Sequence, residues 1–212
     1  MSTPFAPSSL PDLFGNIDIY LFDQLLRGRI ADDATVLDAG CGSGRNLAFM
    51  LRAGMNVFGV DASAEAIAAV RSLAGALAPS LPHDRFLVQQ LEAMSFADAS
   101  MNVVICSAVL HFARDEAHFA ACVHELWRVL ARGGLLFCRL ASTIGIETQV
   151  RPLGHRRHVL PDGSERFLVD AEFLGETTAR LGGTLLDPLK TTVVQDMRAM
   201  TTWVLRKGPL PT

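Results

Sequence analysis

The chain has 212 residues, of which 50% are apolar and 19% charged. That composition excludes a disordered or low-complexity protein, because enough apolar surface is present to offset the entropy of ordering; the length fits one domain better than two. With 19 basic against 22 acidic residues the net charge is −3, the wrong sign for a chain held to nucleic acid through its phosphates.

The first eleven residues, MSTPFAPSSLP, are rich in Pro and Ser and read as loose. In residues 12–30 Ile17, Leu21, Leu25 and Leu26 recur at helical spacing and predict a helix with one apolar face. From residue 35 strand and helix alternate. TVLDA (35–39) is a β-rich run ended by glycines, 46–54 is helical up to Gly54, and NVFGV (56–60) is a second strand. An Ala-rich helix follows over 64–77, with Ser63 as its N-cap. Strands over 85–89 and 102–107 come next, then an amphipathic helix over 115–130 stopped by Gly133 and Gly134, then a fifth strand, LLFCRLA (135–141). The tail reads as a hairpin over 157–169 around Pro161-Asp162-Gly163, a helix over 170–182 between Asp170 and Gly182, and strands over 184–194 and 201–206. Apolar strands each followed by a helix imply a parallel sheet covered on both faces, here ending in antiparallel strands. Trp127 and Trp203 fall at core positions of this pattern.

No run of about 18 apolar residues marks a membrane-spanning helix. The first basic residue is Arg27, so the start lacks the charged region of a signal peptide. Cys41, Cys106, Cys122 and Cys138 are widely spaced, with no CxxC pair or Cys/His cluster, so neither a metal site nor a disulfide framework is expected. These features predict a cytoplasmic protein with reduced thiols and no membrane partner.

The most informative segment is VLDAGCGSGRN (36–46). Gly40, Gly42 and Gly44 fall in a strand-to-helix turn, where glycine allows a sharp turn and the close approach of a ligand. In open α/β sheets ligands bind at the carboxyl ends of the strands, where this loop lies. The dinucleotide fingerprint G-x-G-x-x-G fails, because its third glycine comes one residue early and position 45 is arginine; a phosphate-binding P-loop fails for want of Gly-Lys-Ser/Thr. Asp61 ends the second strand, 21 residues after Gly40, where an acidic side chain can accept the ribose hydroxyls of a nucleoside or cap the following helix.

VLDAGCGSGRN, VFGVDAS, NVVICSAVLHF and ELWRVLARGGLLFC resemble, in order, the successive motifs of class I S-adenosylmethionine-dependent methyltransferases. The resemblance covers roughly residues 33–141, and the Gly-Arg-Asn end of the loop is similar to small-molecule branches such as the tellurite-resistance and thiopurine methyltransferases. It implies a Rossmann-like three-layer α/β/α sandwich with a mostly parallel seven-stranded sheet ending in antiparallel strands. It implies S-adenosylmethionine as cofactor, S-adenosylhomocysteine as product and a small-molecule acceptor. By motif, Asp38 reaches the methionine amino group, and Gly40, Cys41, Gly42 and Gly44 supply backbone around methionine and ribose. Arg45 and Asn46 open the helix whose free N–H groups suit the methionine carboxylate. Asp61 holds the ribose, with Ala62 and Ser63 beside the adenine. Gln90, Leu91 and Glu92 fall where family members often place an acidic adenine contact, and Ser107 ends the fourth strand near the methyl group.

Methyl transfer from a sulfonium is one in-line displacement, so alignment matters more than a catalytic triad. A base helps only for a hydroxyl or amine acceptor. His111 is placed to serve as one, or to pack beside the pocket. Residues 12–30 and 142–169 carry no cofactor motif and are expected to cover the acceptor, with 1–30 as an N-terminal cover, 33–141 as the cofactor core and 170–206 closing the fold. Arg151, His155, Arg156, Arg157 and His158 form a basic cluster that could receive an anion or simply face solvent. A protein or RNA methyltransferase and a non-catalytic cofactor-binding protein remain the rival readings, and the chain is expected to be a monomer or homodimer.

Overall fold

The structure, a computed structural model, describes residues 10–208. Its frame is a single mixed sheet. β1 (Thr35–Ala39), β2 (Asn56–Asp61), β3 (Phe86–Val88), β4 (Met101–Ser107) and β5 (Leu130–Ser142) run parallel. β11 (Arg198–Lys207) pairs antiparallel with β5 and, on its other side, with β10 (Lys190–Val194). The order is β10-β11-β5-β4-β1-β2-β3, and β9 (Gly183–Leu185) pairs with β11 as an eighth strand. The expected sheet of seven strands is thus present along this path, with one short addition. Val36, Leu37, Val104, Ile105, Leu136 and Phe137 are fully buried because this part of the sheet is covered on both faces.

One face packs on α5 (Glu116–Val129) and α6 (Ala171–Leu181), with Phe119, Leu126, Leu174 and Trp203 in its core. The other carries α2 (Ile19–Leu26), α3 (Ala48–Arg52) and α4 (Ala64–Leu77), with Leu21, Leu47, Ile67 and Val70 in its core. Trp203 is completely buried and its indole N–H donates to Thr178 Oγ1 at 3.0 Å, while Trp127 packs partly buried at the edge of the same cluster. As the sequence predicts, Ser63 caps α4 by accepting from Ala66 N–H, and Asp170 caps α6 by accepting from Phe173 N–H. Gly182 closes α6 in the left-handed conformation.

Four expectations change. The looseness expected of the first eleven residues falls on residues 1–9, outside the described residues, whereas Leu10 already belongs to α1 (Leu10–Phe14). The single helix expected over 12–30 is two helices, because Gly15 turns at φ +60° and Asp18 starts a new one by accepting from Tyr20 N–H. The strand expected over 184–194 breaks between Leu185 and Lys190: Pro188 has no N–H for a ladder, and Asp187 pairs with Arg29 at 2.6 Å. Gly133 and Gly134 do not stop the helix. α5 ends at Val129 and β5 starts at once, and a Cβ on Gly134 would meet the backbone oxygens of Ala131 and Asn102.

The hairpin expected over 157–169 forms as β7 (Arg157–Val159) and β8 (Glu165–Phe167), joined by β6 (Arg151–Gly154) into a separate three-stranded sheet. Among the described residues, no helix is long and apolar enough to cross a membrane.

Candidate functional site

The glycine loop is tied to the end of β2: both Gly40 and Cys41 donate their N–H groups to Val60 O, at 2.8 and 2.9 Å. Its glycines differ in what requires them. Gly40 has φ +82°, and a Cβ there would overlap the side chain of Val109; a Cβ on Gly44, at φ +86°, would strike Val70 and Leu73 of α4. Gly42 faces open space. Gly44 therefore serves helix packing, and Gly42 leaves backbone free for a ligand.

Asp61 shapes the loop from below. Its two carboxylate oxygens accept N–H groups from Gly42 and Ser63, each at 2.9 Å. Each oxygen keeps a further lone pair. Asp38 is different. It is 1% exposed, and neither of its carboxylate oxygens has a hydrogen-bond partner. Burial pushes its carboxyl up to about 7; Arg45 opposes this and Asp61 adds to it. A buried acid without a partner is costly. It fits an ammonium group that would satisfy it on binding.

A cavity of about 500 Å³ opens beside this loop. Of the predicted residues, Gly40, Gly42, Asp61, Ala62, Gln90, Leu91 and Glu92 line it. Its opposite wall comes from Ala108, Val109, Leu110 and Phe112 after β4, and from His118 and Cys122 of α5. Ala108 holds φ +65°, strain of the kind found where a chain must present its backbone at a site. The cavity joins a glycine-rich loop, a ribose-type acid and apolar walls, which suits a nucleoside.

The remaining predicted residues lie elsewhere. Cys41 is buried behind the loop, and burial drives its thiol well above the usual range. Ser63 caps α4. Asn46 is buried and accepts Asp18 N–H on its side-chain oxygen at 3.0 Å, so it anchors the start of α2. Arg45 and Ser107 meet, Nη2 to Oγ 3.4 Å, at a second polar cluster. His111 is buried, its Nδ1 has no partner, and burial followed by the nearby Arg166 lowers it to about 4. It is therefore neutral at pH 7 and a weak base.

Sequence reasoning missed two residues of that second cluster. Asp18 is buried, and its Oδ2 receives Arg139 Nη1 at 3.0 Å and Ser107 Oγ at 3.4 Å, with Arg45 Nη2 at 3.8 Å. Arg139 also lies over the Tyr20 ring, 5.6 Å from its centroid. The one available signal was the lone charge of Arg139 in the apolar run LLFCRLA. The basic cluster of the insertion does not gather. Arg156 pairs with Asp170 at 2.8 Å and lies over Phe173, while Arg157 pairs with Glu165 at 3.1 Å and donates to Ala113 O.

Spacing also concealed a cluster at the far end of the cavity. Glu92, His118 and Cys122 bring their donor atoms within 4.8 Å of one another. His118 Nδ1 accepts Arg114 N–H at 3.1 Å, which puts the ring proton on Nε2, 3.2 Å from Glu92 Oε1. That pattern leaves the imidazole no free lone pair for a cation, and burial pushes the Cys122 thiol up to about 12. His118 acts here as a donor that orients Glu92.

The sequence model of a family described as a methyltransferase domain matches residues 37–138. A Mycobacterium tuberculosis protein named "Probable S-adenosylmethionine-dependent methyltransferase" is 30% identical over 201 residues, covering 84% of this chain and 69% of its own. The trans-aconitate 2-methyltransferase of an Azoarcus species is 33% identical over 116 residues, 54% of this chain and 42% of its own. Among solved structures, the 1,6-didemethyltoxoflavin-N1-methyltransferase of Burkholderia thailandensis, with its substrate and S-adenosylhomocysteine bound, superposes with a TM-score of 0.70. It is 16% identical, over 92% of this chain and 80% of that one.

Proposed function

Because the chain belongs to the S-adenosylmethionine-dependent methyltransferases, we propose that it moves the sulfonium methyl to a small-molecule acceptor held between α2 and the ends of β4 and β5. The cofactor supplies an activated methyl group, open to in-line attack. This chain's residues bind and orient. Asp61 is held by two backbone N–H groups with lone pairs left for ribose hydroxyls. Asp38 offers an unpaired carboxylate to the methionine amine, and the stretch Gln90–Glu92 lines the adenine end with Ala62. Cys41, Gly44 and Ser63 act behind this surface by shaping the loop and the start of α4.

The observation that carries the small-molecule reading is Asp18. From the start of α2 it reaches Ser107 and Arg139, so the N-terminal segment lies over this part of β4 and β5. A protein or RNA acceptor would need that face open. Residues 10–30 then act as the acceptor's cover and 142–169 as its side wall. The relatives named for trans-aconitate and 1,6-didemethyltoxoflavin act on small molecules, in keeping with this reading.

Two measurements test it. Calorimetry is expected to show S-adenosylhomocysteine binding and no NAD binding, and methyl-labelled cofactor is expected to mark a product of small mass. Label recovered only in protein or RNA would refute the small-molecule reading.

A further inference from the structure

We propose that the acceptor is a carboxylic acid, and that Arg139, with Arg45 and Ser107, holds its carboxylate where Asp18 Oδ2 now lies. This rests on the methyltransferase reading above and deepens it to a substrate class.

Two guanidinium groups and a hydroxyl converge on a single carboxylate oxygen, at 3.0 Å from Arg139, 3.4 Å from Ser107 and 3.8 Å from Arg45. Asp18 is the acid within ion-pair distance of both arginines, and Asp38 acts on Arg45 from beyond that distance. The donors are in excess. Arg139 Nε and Thr202 Oγ1 are buried with no hydrogen-bond partner among the described residues. Thr202 stands directly opposite Arg139 in the β5–β11 pairing, and Ser107 opposite Arg139 in the β4–β5 pairing. Opposed residues share a sheet face, so Ser107, Arg139 and Thr202 form a row of donors across three strands, under α2. A carboxylate is the planar anion that a guanidinium fork matches.

The row adjoins the cofactor cavity. Ser107 touches the cluster, while the next residue, Ala108, lines the cavity. A carboxylate acceptor also suits the lack of a base there. One of its oxygen lone pairs forms the O–CH3 bond as the methyl–sulfur bond breaks and that electron pair passes to sulfur. Sulfonium and carboxylate lose their charges together, and no proton has to be removed. An ordinary structural ion pair would explain Asp18 bound to Arg139, but not two arginines with unpaired donors beside them.

The test uses the full chain with trideuteromethyl cofactor, a small-molecule cell extract, and a probe panel of trans-aconitate, benzoate and hexanoate. The expected product is a labelled methyl ester that mild base cleaves to labelled methanol. Arg139→Gln is expected to raise the acid's KM roughly 10- to 100-fold, the scale of one charged hydrogen bond, with the S-adenosylhomocysteine Kd unchanged. Asp18→Asn is expected to lower that KM. Should Arg139→Gln melt early, Thr202→Val, which keeps the side chain's shape and removes one donor of the row, gives the same readout with a smaller effect. Label on nitrogen, sulfur or a phenolic oxygen overturns the inference, as does a protein that binds S-adenosylhomocysteine yet makes no ester. Arg139→Gln weakening S-adenosylhomocysteine as much as the acid also overturns it, since the arginine would then serve the methionine carboxylate. Failure of the unaltered protein to bind S-adenosylhomocysteine refutes the methyltransferase reading itself.

Discussion

The two ends of the site are built in opposite ways. At the cofactor end, the glycine loop after β1 and the last residue of β2 supply the central groups, and backbone N–H donors hold Asp61 in place. At the proposed acceptor end, Asp18, Arg45, Ser107 and Arg139 come from four elements, and Asp18 and Arg139 are 121 positions apart. The first end tolerates almost no change in shape, because glycine conformations set it. The second is held by side chains and can change ligand without disturbing the sheet.

The largest expected effect comes from breaking the rigid end. Gly40→Ala puts a Cβ into the side chain of Val109 at a backbone angle of φ +82°. The strain and overlap together are expected to cost about 2–4 kcal/mol. Calorimetry should show S-adenosylhomocysteine binding lost, and chemical denaturation a lower midpoint.

Next is the buried acid between the two ends. The Asp38 carboxyl is pushed up to about 7 in the folded chain. Free of ligand, folded protein then holds a proton that the unfolded chain releases near its ordinary carboxylate value. The stabilisation is fully present at low pH and is lost as pH rises through about 7. Thermal melts between pH 4 and 8 should show this fall in the unaltered protein and a flatter profile in Asp38→Asn, a difference of a few kcal/mol. An ammonium ligand favours the ionised acid, so S-adenosylhomocysteine affinity is expected to rise with pH up to about 7 and to lose that dependence in the variant.

Asp61→Ala is expected to weaken S-adenosylhomocysteine by about 1.5–3 kcal/mol, measured as a dissociation constant. The folded protein should lose about 1 kcal/mol as well, because Gly42 and Ser63 N–H lose their acceptor. An unchanged dissociation constant would leave Asp61 only its role as a brace of the loop.

The smallest effect is expected at the insertion. Arg156→Ala and Arg157→Ala remove surface ion pairs to Asp170 and Glu165, each contributing under about 1 kcal/mol. Melting should fall slightly, with the acceptor's KM unchanged. A raised KM would move the anion site from Arg139 to the insertion.

How much of this was legible depended on distance along the chain. The alternation of strand and helix along β1 to β5, the caps at Ser63 and Asp170, and the stop at Gly182 follow from local periodicity and turn chemistry. The glycine loop and Asp61 are close in sequence, so their spacing announces that they meet. His111 shows the limit of that approach. Its place after β4 allowed a base or a side chain packed beside the pocket, and in the fold its turn packs against β8, where burial lowers it to about 4. The trio Glu92, His118 and Cys122 was hidden because Glu92 lies on a loop 26 positions before His118.

The sequence by itself thus determined the sheet, the nucleotide loop and the family, since each is written in short-range patterns that backbone geometry enforces. Only the tertiary structure decided what gathers at the proposed acceptor end. Gly15 and Asp18 break the N-terminal segment into two helices, and that break lowers Asp18 onto Arg139 and Ser107. A charge meets its partner through packing and burial, where the low dielectric makes the pairing strong, and no spacing rule along the chain records that meeting.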